Sequence, residues 1–236
     1  MIFFGRKHSI LKSPFFEGFK DYHNHTLPSV DDGVQGQDNA LSVLSYLEEL
    51  KFREVVLTPH VMVGVNNTDQ KVESSFAALS AAYQGPIKLS LASEYMLDFN
   101  FEGHFKRGAR LIEDTNILVE TSYMSAPVNF DELLYEVKTT GITPIIAHPE
   151  RYHYMSRDKY HVLKDQDYRF QLNILSFMGM YGGQVPATAI YLLEQGMYDI
   201  VGTDLHGLRS FSERIKRVKL SSKHIDMLLE VKSKGL

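Results

Sequence analysis

Asp21-Tyr22-His23-Asn24-His25, followed by Asp31-Asp32-Gly33, is the stretch from which the fold of this 236-residue chain can be read. Strand side chains alternate between faces, so His23 and His25 on a strand point the same way. Two imidazoles side by side, with a carboxylate on the loop just beyond, make half of a metal site. The other half recurs wherever an apolar run stops: His60, Glu94, Glu120, His148, Asp204 and His206. Chemistry gathered at the carboxyl ends of successive strands marks parallel α/β barrels.

Around that stretch, short β-branched runs alternate with amphipathic ones, the pattern of a parallel α/β fold. The spacing predicts strands over 19–25, 54–57, 88–93, 117–119, 143–146, 169–173 and 200–201. Helices are predicted over 38–50, 71–83, 131–140, 187–195 and 221–234. About seven strand-then-helix units, without repeat, low-complexity segment or linker, predict a closed or nearly closed barrel. The division expected is an N-terminal extension, 1–18, and one domain, 19–236.

Composition narrows the class. A hydrophobic fraction of 44% and a charged fraction of 23% are those of a soluble globular protein. The absence of cysteine excludes disulfides, thiolate zinc sites and cysteine nucleophiles. A net charge of -4 argues against a dedicated nucleic-acid binder. No apolar run approaches the roughly 20 residues that span a bilayer. Met1-Ile2-Phe3-Phe4 gives way at once to Gly5-Arg6-Lys7-His8, the reverse of a signal peptide, so a cytoplasmic protein is expected. Phe15, Phe16 and Phe19 are expected to pack against the outside of the domain.

Each candidate ligand has a plainer explanation. A lone histidine is usually a surface or hydrogen-bonded core residue, and Glu94 or Glu120 alone could be a strand-end carboxylate reaching solvent. The set is stronger than its members. His23-x-His25 and Asp204-x-His206 repeat one alternating geometry, and His60 follows Thr58-Pro59 where a strand stops. Nitrogen and oxygen donors suit zinc, manganese or iron. There are more ligands than one tetrahedral ion can use, and a carboxylate such as Glu94 can bridge two ions for phosphoester hydrolysis.

At these residues the chain resembles the PHP (polymerase and histidinol phosphatase) superfamily. More narrowly, it looks like the bacterial manganese-dependent tyrosine-protein phosphatases linked to capsule and exopolysaccharide synthesis. The motifs are His-x-His-x-Leu-Pro with Asp-Asp-Gly, from His23 to Gly33; Thr58-Pro59-His60; Ile146 through Tyr152, reading Ile-Ala-His-Pro-Glu-Arg-Tyr; and Thr203-Asp204-x-His206. They cover almost the whole chain. Two departures stand out: a longer segment before the first strand, and no basic residue in the Met178-Gly179-Met180-Tyr181-Gly182-Gly183 run.

The resemblance implies a distorted (β/α)7 TIM-like barrel of PHP type and three divalent metal ions, manganese first, with iron or zinc as alternatives. His23, His25, Glu94 and Asp204 would hold one ion. Glu94, Glu120 and His148 would hold a second, and Asp32, His60 and His206 a third. Arg151 and Arg209 would bind the substrate phosphate. It further implies dephosphorylation of a protein phosphotyrosine, on a tyrosine kinase of capsular or extracellular polysaccharide synthesis, by direct attack of a metal-bridging hydroxide. Arginine suits phosphate because its fork donates two parallel hydrogen bonds. Aryl phosphates suit the chemistry because a phenol, with a pKa of about 10, leaves more readily than an alkoxide.

Three other functions compete. Hydrolysis of histidinol phosphate or another small phosphomonoester would use the same centre in an enclosed pocket. A PHP-type nuclease is disfavoured by the acidic balance. A catalytically silent, metal-binding regulator belongs to a different class, and the presence of every expected ligand together with Arg151 counts against it. The basic cluster Arg209, Arg214, Lys216, Arg217 and Lys219 could attract an anionic substrate, but most of it reads better as a solvated helix face. Asp98 and Glu102 read as loop or helix-start carboxylates.

Overall fold

Leu118 faces one way and its neighbours Ile117 and Val119 the other, an alternation that organises the sheet in the computed structural model, which describes residues 6–236. Met1 to Phe4, read above as the wrong start for a signal peptide, lie outside the described residues. In chain order the strands are β1 (His8–Ser9), β2 (Lys20–Asn24), β3 (Glu54–Leu57), β4 (His60–Val61), β5 (Lys88–Leu91) and β6 (Glu94–Met96). They continue with β7 (Asn116–Glu120), β8 (Thr143–Ala147), β9 (Arg169–Asn173), β10 (Ile200–Gly202) and β11 (Lys219–Leu220). The helices are α1 (Gln37–Glu49), α2 (Asp69–Ala82), α3 (Phe101–Lys106), α4 (Phe130–Thr139), α5 (Arg157–Asp165), α6 (Val185–Glu194), α7 (Leu208–Ile215) and α8 (Ser222–Lys234).

The parallel strands form two hydrogen-bonded sets, β2-β3-β5 and β4-β6-β7-β8-β9-β10. Thr58-Pro59 separates β3 from β4 and Ala92-Ser93 separates β5 from β6, but the ladder continues across both breaks. Ala92 N–H donates to the Leu57 carbonyl (2.9 Å) and Glu94 N–H to that of Pro59 (3.1 Å). At the other end, Asp204 N–H donates to the His23 carbonyl (2.8 Å) and His25 N–H to that of Leu205 (3.0 Å), tying the chain after β10 to β2. The result is a curled parallel sheet of TIM-like kind. It is not fully closed, because among the described residues β5 pairs with β3 but not with β7.

Tyr22, Val56, Leu118, Ile145 and Ile200 fill the interior of the curl, while Val55, Leu57, Ile146 and Val201 face the helices. Strands buried on both faces require this near-continuous apolar composition. α4 shows the matching helical period, burying Phe130, Leu133, Leu134 and Val137. α3, α5 and α7 were given no bounds from the sequence, although a helix face was read near Arg209, because α3 is short and the others bury few apolar residues, Tyr160 and Leu163 in α5, Phe211 and Ile215 in α7. No helix among the described residues is long and apolar enough to cross a membrane.

The segment before β2 is strapped on at both ends. β1 pairs antiparallel with β11, and Phe15 and Phe16 are buried beside Phe19 and Phe52, with ring centroids 5.0 to 5.7 Å apart.

The seam between β2 and β10 is closely packed. Fully buried Asp21 accepts from Thr203 N–H (2.8 Å), Thr203 Oγ1 (2.6 Å) and Asn24 Nδ2 (2.9 Å). A Cβ on Gly202 would lie 2.5 Å from His23 Cβ and 2.7 Å from Gln171 Nε2. Gly202→Ala should therefore force the seam apart at a cost of about 1–3 kcal/mol, read as a drop of roughly 5 °C in the thermal midpoint. An unchanged midpoint would show that the seam yields freely.

Candidate metal centre

β2 brings the first pair of imidazoles by an irregularity. Three residues of β2 span the register that two residues of β3 cover, since Asp21 pairs with Val55 and Asn24 with Leu57. Such a bulge re-aims side chains. Tyr22 can thus pack in the interior while the adjacent His23 also faces inward, at the carboxyl end. His23 Nε2 lies 3.0 Å from His25 Nε2 and 3.0 Å from Glu94 Oε2, and both imidazoles are 3.5 Å from Asp204 Oδ1. Neighbouring strands supply the rest. His60 Nδ1 is 3.1 Å from Glu94 Oε2 and 3.0 Å from Glu120 Oε1, and His148 Nε2 is 3.2 Å from Glu94 Oε1. Asp32 Oδ1 stands 3.5 Å from both His60 Nε2 and His206 Nε2.

The donors fall into four overlapping groups: His25, Asp32, His60 and His206; His23, His25 and Asp204; His23, Glu94 and His148; His60, Glu94 and Glu120. All nine carboxylates and imidazoles singled out in the sequence are among them. Both oxygens of Glu94, and His60 Nδ1, are buried without a hydrogen-bond partner even though imidazole nitrogens lie within 3.3 Å of the carboxylate. Donors that converge on common points, and are not directed at one another, fit divalent cations between them.

Several partners that the sequence did not disclose hold these groups in place. Gln171 Oε1 accepts from His148 N–H (3.1 Å) while its Nε2 donates to the Leu172 carbonyl (2.7 Å). Its oxygen therefore faces His23 Nδ1 at 3.0 Å, which makes Nδ1 the protonated nitrogen and leaves Nε2 bare for a cation. Asp31 Oδ2, 2.9 Å from His25 Nδ1, does the same for that ring. Asn173 Nδ2 donates to Asp204 Oδ2 (2.9 Å), and Asn173 N–H is held by buried Glu150 (3.0 Å). The signals were faint but present: Asp31 adjoins Asp32, and Gln171 and Asn173 alternate at the end of β9. His148 (φ 33°) and Asp204 (φ 51°) both have left-handed backbones, a strained state that recurs at functional sites.

Arg151 lines the same pocket, of about 250 Å³. It is 3% exposed. Its Nη2 donates to Asp204 Oδ2 (2.7 Å), its guanidinium carbon lies 3.5 Å from the Tyr181 ring centroid, and its Nε is buried without a partner. Arg209 is not brought there. Its side chain is 92% exposed and paired with Glu213 at 3.3 Å. The helical period of α7 explains the difference: Phe211 and Ile215 form its buried face, and Arg214, three residues after Phe211, reaches the pocket wall. Of the basic cluster, read for the most part as a solvated face, Arg214 is the member that lines this pocket.

A model of the family described as "Capsular polysaccharide synthesis, CpsB/CapC" matches residues 19–227. The chain belongs to the CpsB/CapC family. It is 26% identical over 199 residues to the tyrosine-protein phosphatase YwqE of Bacillus subtilis, covering 80% of this chain and 78% of the relative. It is also 26% identical over 203 residues to the tyrosine-protein phosphatase CpsB of Streptococcus pneumoniae, covering 80% and 84%. Its fold matches a chain from the crystal structures of YwqE and CpsB, described there as metal-dependent tyrosine phosphatases, with a TM-score of 0.75 at 23% identity over 90% of this chain and 85% of that one.

Electrostatics in this CpsB/CapC centre set the protonation of the cation-free site. Burial opposes charging His23, but Glu94 and Asp204 outweigh it and raise the imidazole to about 9. For His206, burial is likewise overcome by Asp32 and Asp204, to about 9, and for His60 by Glu94 and Glu120, to about 12. Burial and Glu94 push Glu120 up to about 7, whereas burial and Arg151 bring His148 down to about 4. At pH 7 most of these imidazoles hold a proton that a cation must displace. Manganese binding to metal-stripped protein should therefore release protons and tighten as pH rises from 6 to 9. Calorimetry in buffers of different ionisation enthalpy measures this, and an enthalpy independent of buffer would overturn the assignment of bare-nitrogen ligands.

Proposed function

We propose that the chain is a metal-dependent protein-tyrosine phosphatase, acting in the cytoplasm on a tyrosine kinase of capsular or extracellular polysaccharide synthesis. The observation that carries the chemistry is a buried guanidinium, with an unpartnered Nε–H, sharing one pocket with a dense set of carboxylate and imidazole donors. Family membership and the named activity of the relatives carry the substrate class.

Three divalent ions, manganese by preference, are assigned to the donor groups; when bound they neutralise phosphoryl charge and acidify a water. His23, His25, Glu94 and Asp204 are assigned to one, Glu94, Glu120 and His148 to another, and Asp32, His60 and His206 to the third.

The chain's own residues place the substrate. Asp204 commits one edge of the Arg151 fork, and Tyr181 supports its face, so the remaining N–H groups keep a fixed direction toward the pocket. A phosphate in the pocket accepts from the part of the fork that Asp204 leaves free. Arg214 adds a second positive charge from the wall. A phenolate leaving group, with a pKa of about 10, demands little proton donation, consistent with a pocket in which Tyr123 is pushed above its ordinary value by burial.

Metal-stripped protein reloaded separately with Mn, Zn, Fe or Mg should hydrolyse a phosphotyrosine peptide in preference to phosphoserine or histidinol phosphate. Turnover confined to histidinol phosphate would move the chain to small-molecule chemistry, and none with any metal in folded protein would leave the silent regulator. Arg151→Ala should lower kcat/KM about 100-fold and Arg214→Ala about tenfold, the range of a hydrogen bond to a charged group. Arg209→Ala should stay within about twofold, as for a weak exposed ion pair. A large loss there, with Arg214→Ala silent, would restore the phosphate role that the sequence resemblance implied.

A further inference from the structure

Large apolar side chains are unevenly exposed. Among the described residues there are eight, and six of them, Val63, Phe99, Tyr123, Met124, Val128 and Met180, lie in loops that leave the carboxyl ends of β4, β6, β7 and β9. The other two lie on helices. Those loops border the metal centre, and Tyr123 and Met180 line its pocket. Phe99 is 85% exposed, Met124 78% and Val128 fully so.

The rim is continuous. Val63 N–H donates to Asp98 Oδ2 (2.8 Å), joining the loop after β4 to that after β6. β6 pairs with β7, and the Tyr123 carbonyl accepts from His153 N–H (3.2 Å), joining the loops after β7 and β8. Beside Val128 a cavity of about 470 Å³ opens between Pro127, Phe130, Tyr154 and Met155, with Glu132 and the Lys159–Asp131 ion pair also on its wall.

We propose that this rim docks the apolar side chains that flank the phosphotyrosine in a polypeptide substrate, with the cavity beside Val128 receiving one of them. The inference rests on the phosphotyrosine reading above. Charge selects the occupant. Across loops 62–68, 97–100 and 121–129 the one charged side chain is Asp98, and its carboxylate already accepts from Val63 and Asn100 N–H. An anionic membrane surface or a nucleic acid needs a basic cluster that these loops lack. Exposed Phe, Tyr and Met on loops that themselves carry little charge are what the centre of a protein–protein contact contains. A second copy of the chain seated here would cover the pocket that the substrate must enter.

The test is the triple variant Phe99→Ser, Met124→Ser, Val128→Ser, with Phe99→Ser and Val128→Ser singly in case the triple fails to fold. None of these residues touches the donor groups or Arg151. Against a phosphotyrosine peptide with leucine and phenylalanine flanks, KM should rise about tenfold at unchanged kcat. Free phosphotyrosine and p-nitrophenyl phosphate should be hydrolysed as by wild type. Equal KM values for wild type and variants would overturn the proposal, as would a wild-type dimer that the substitutions dissociate. Anisotropy with a phosphonate analogue of the same peptide reads docking without turnover. Wild type that binds the analogue through the rim but hydrolyses no aryl phosphate would refute the enzymatic reading alone.

Discussion

Glu94 is fully buried, and neither of its oxygens has a hydrogen-bond partner. A carboxylate in that position costs several kcal/mol unless positive charge is supplied. Four carboxylates, those of Asp32, Glu94, Glu120 and Asp204, crowd the centre, with Arg151 the guanidinium paired to one of them. Protons on the imidazoles meet the need in the cation-free protein, as the raised His23, His60 and His206 show. Divalent cations meet it better, because they satisfy nitrogen and oxygen donors together. The demand for cations is thus a consequence of burial.

The seam between β2 and β10 is the mechanical counterpart of that demand. It must bring His23 and His25 from one end of the chain against Asp204 and His206 from the other, through charges that resist crowding. Asp21 does this by accepting hydrogen bonds from Thr203 and Asn24, and Gly202 by having no Cβ. The left-handed backbones of His148 and Asp204 cost of order 1–3 kcal/mol each. They persist because Gln171 holds the His148 amide and the His23 carbonyl holds that of Asp204.

Around this rigid floor the molecule separates chemistry from recognition. Donor groups sit at strand ends, where the sheet fixes them, whereas exposed apolar residues sit in the following loops, where side chains can change without disturbing the ladder. The Met180-Tyr181 segment bridges the two, Tyr181 stacking on Arg151 and Met180 reaching the rim.

The amino-acid sequence by itself determined the alternation of strands and helices and, to within two residues, where seven of the strands stop, because burial on both faces leaves an apolar run that ends where chemistry begins. It also marked the nine carboxylates and imidazoles that the fold gathers, most of them where a strand stops, whereas Arg151 stood out only through the motif resemblance. Tertiary structure alone decided three things. The bulge in β2 put Tyr22 and His23 on one side, which a strict alternation places on two. The helical phase of α7 carried Arg214, and not Arg209, to the pocket. The partners Gln171, Asp31 and Asn173 acquired their roles only through contacts distant in sequence, or from a neighbour whose own role was legible. Periodicity records which face a residue takes within its own element; it carries no record of how neighbouring elements are rotated and shifted against one another, and that rotation settles which atoms meet.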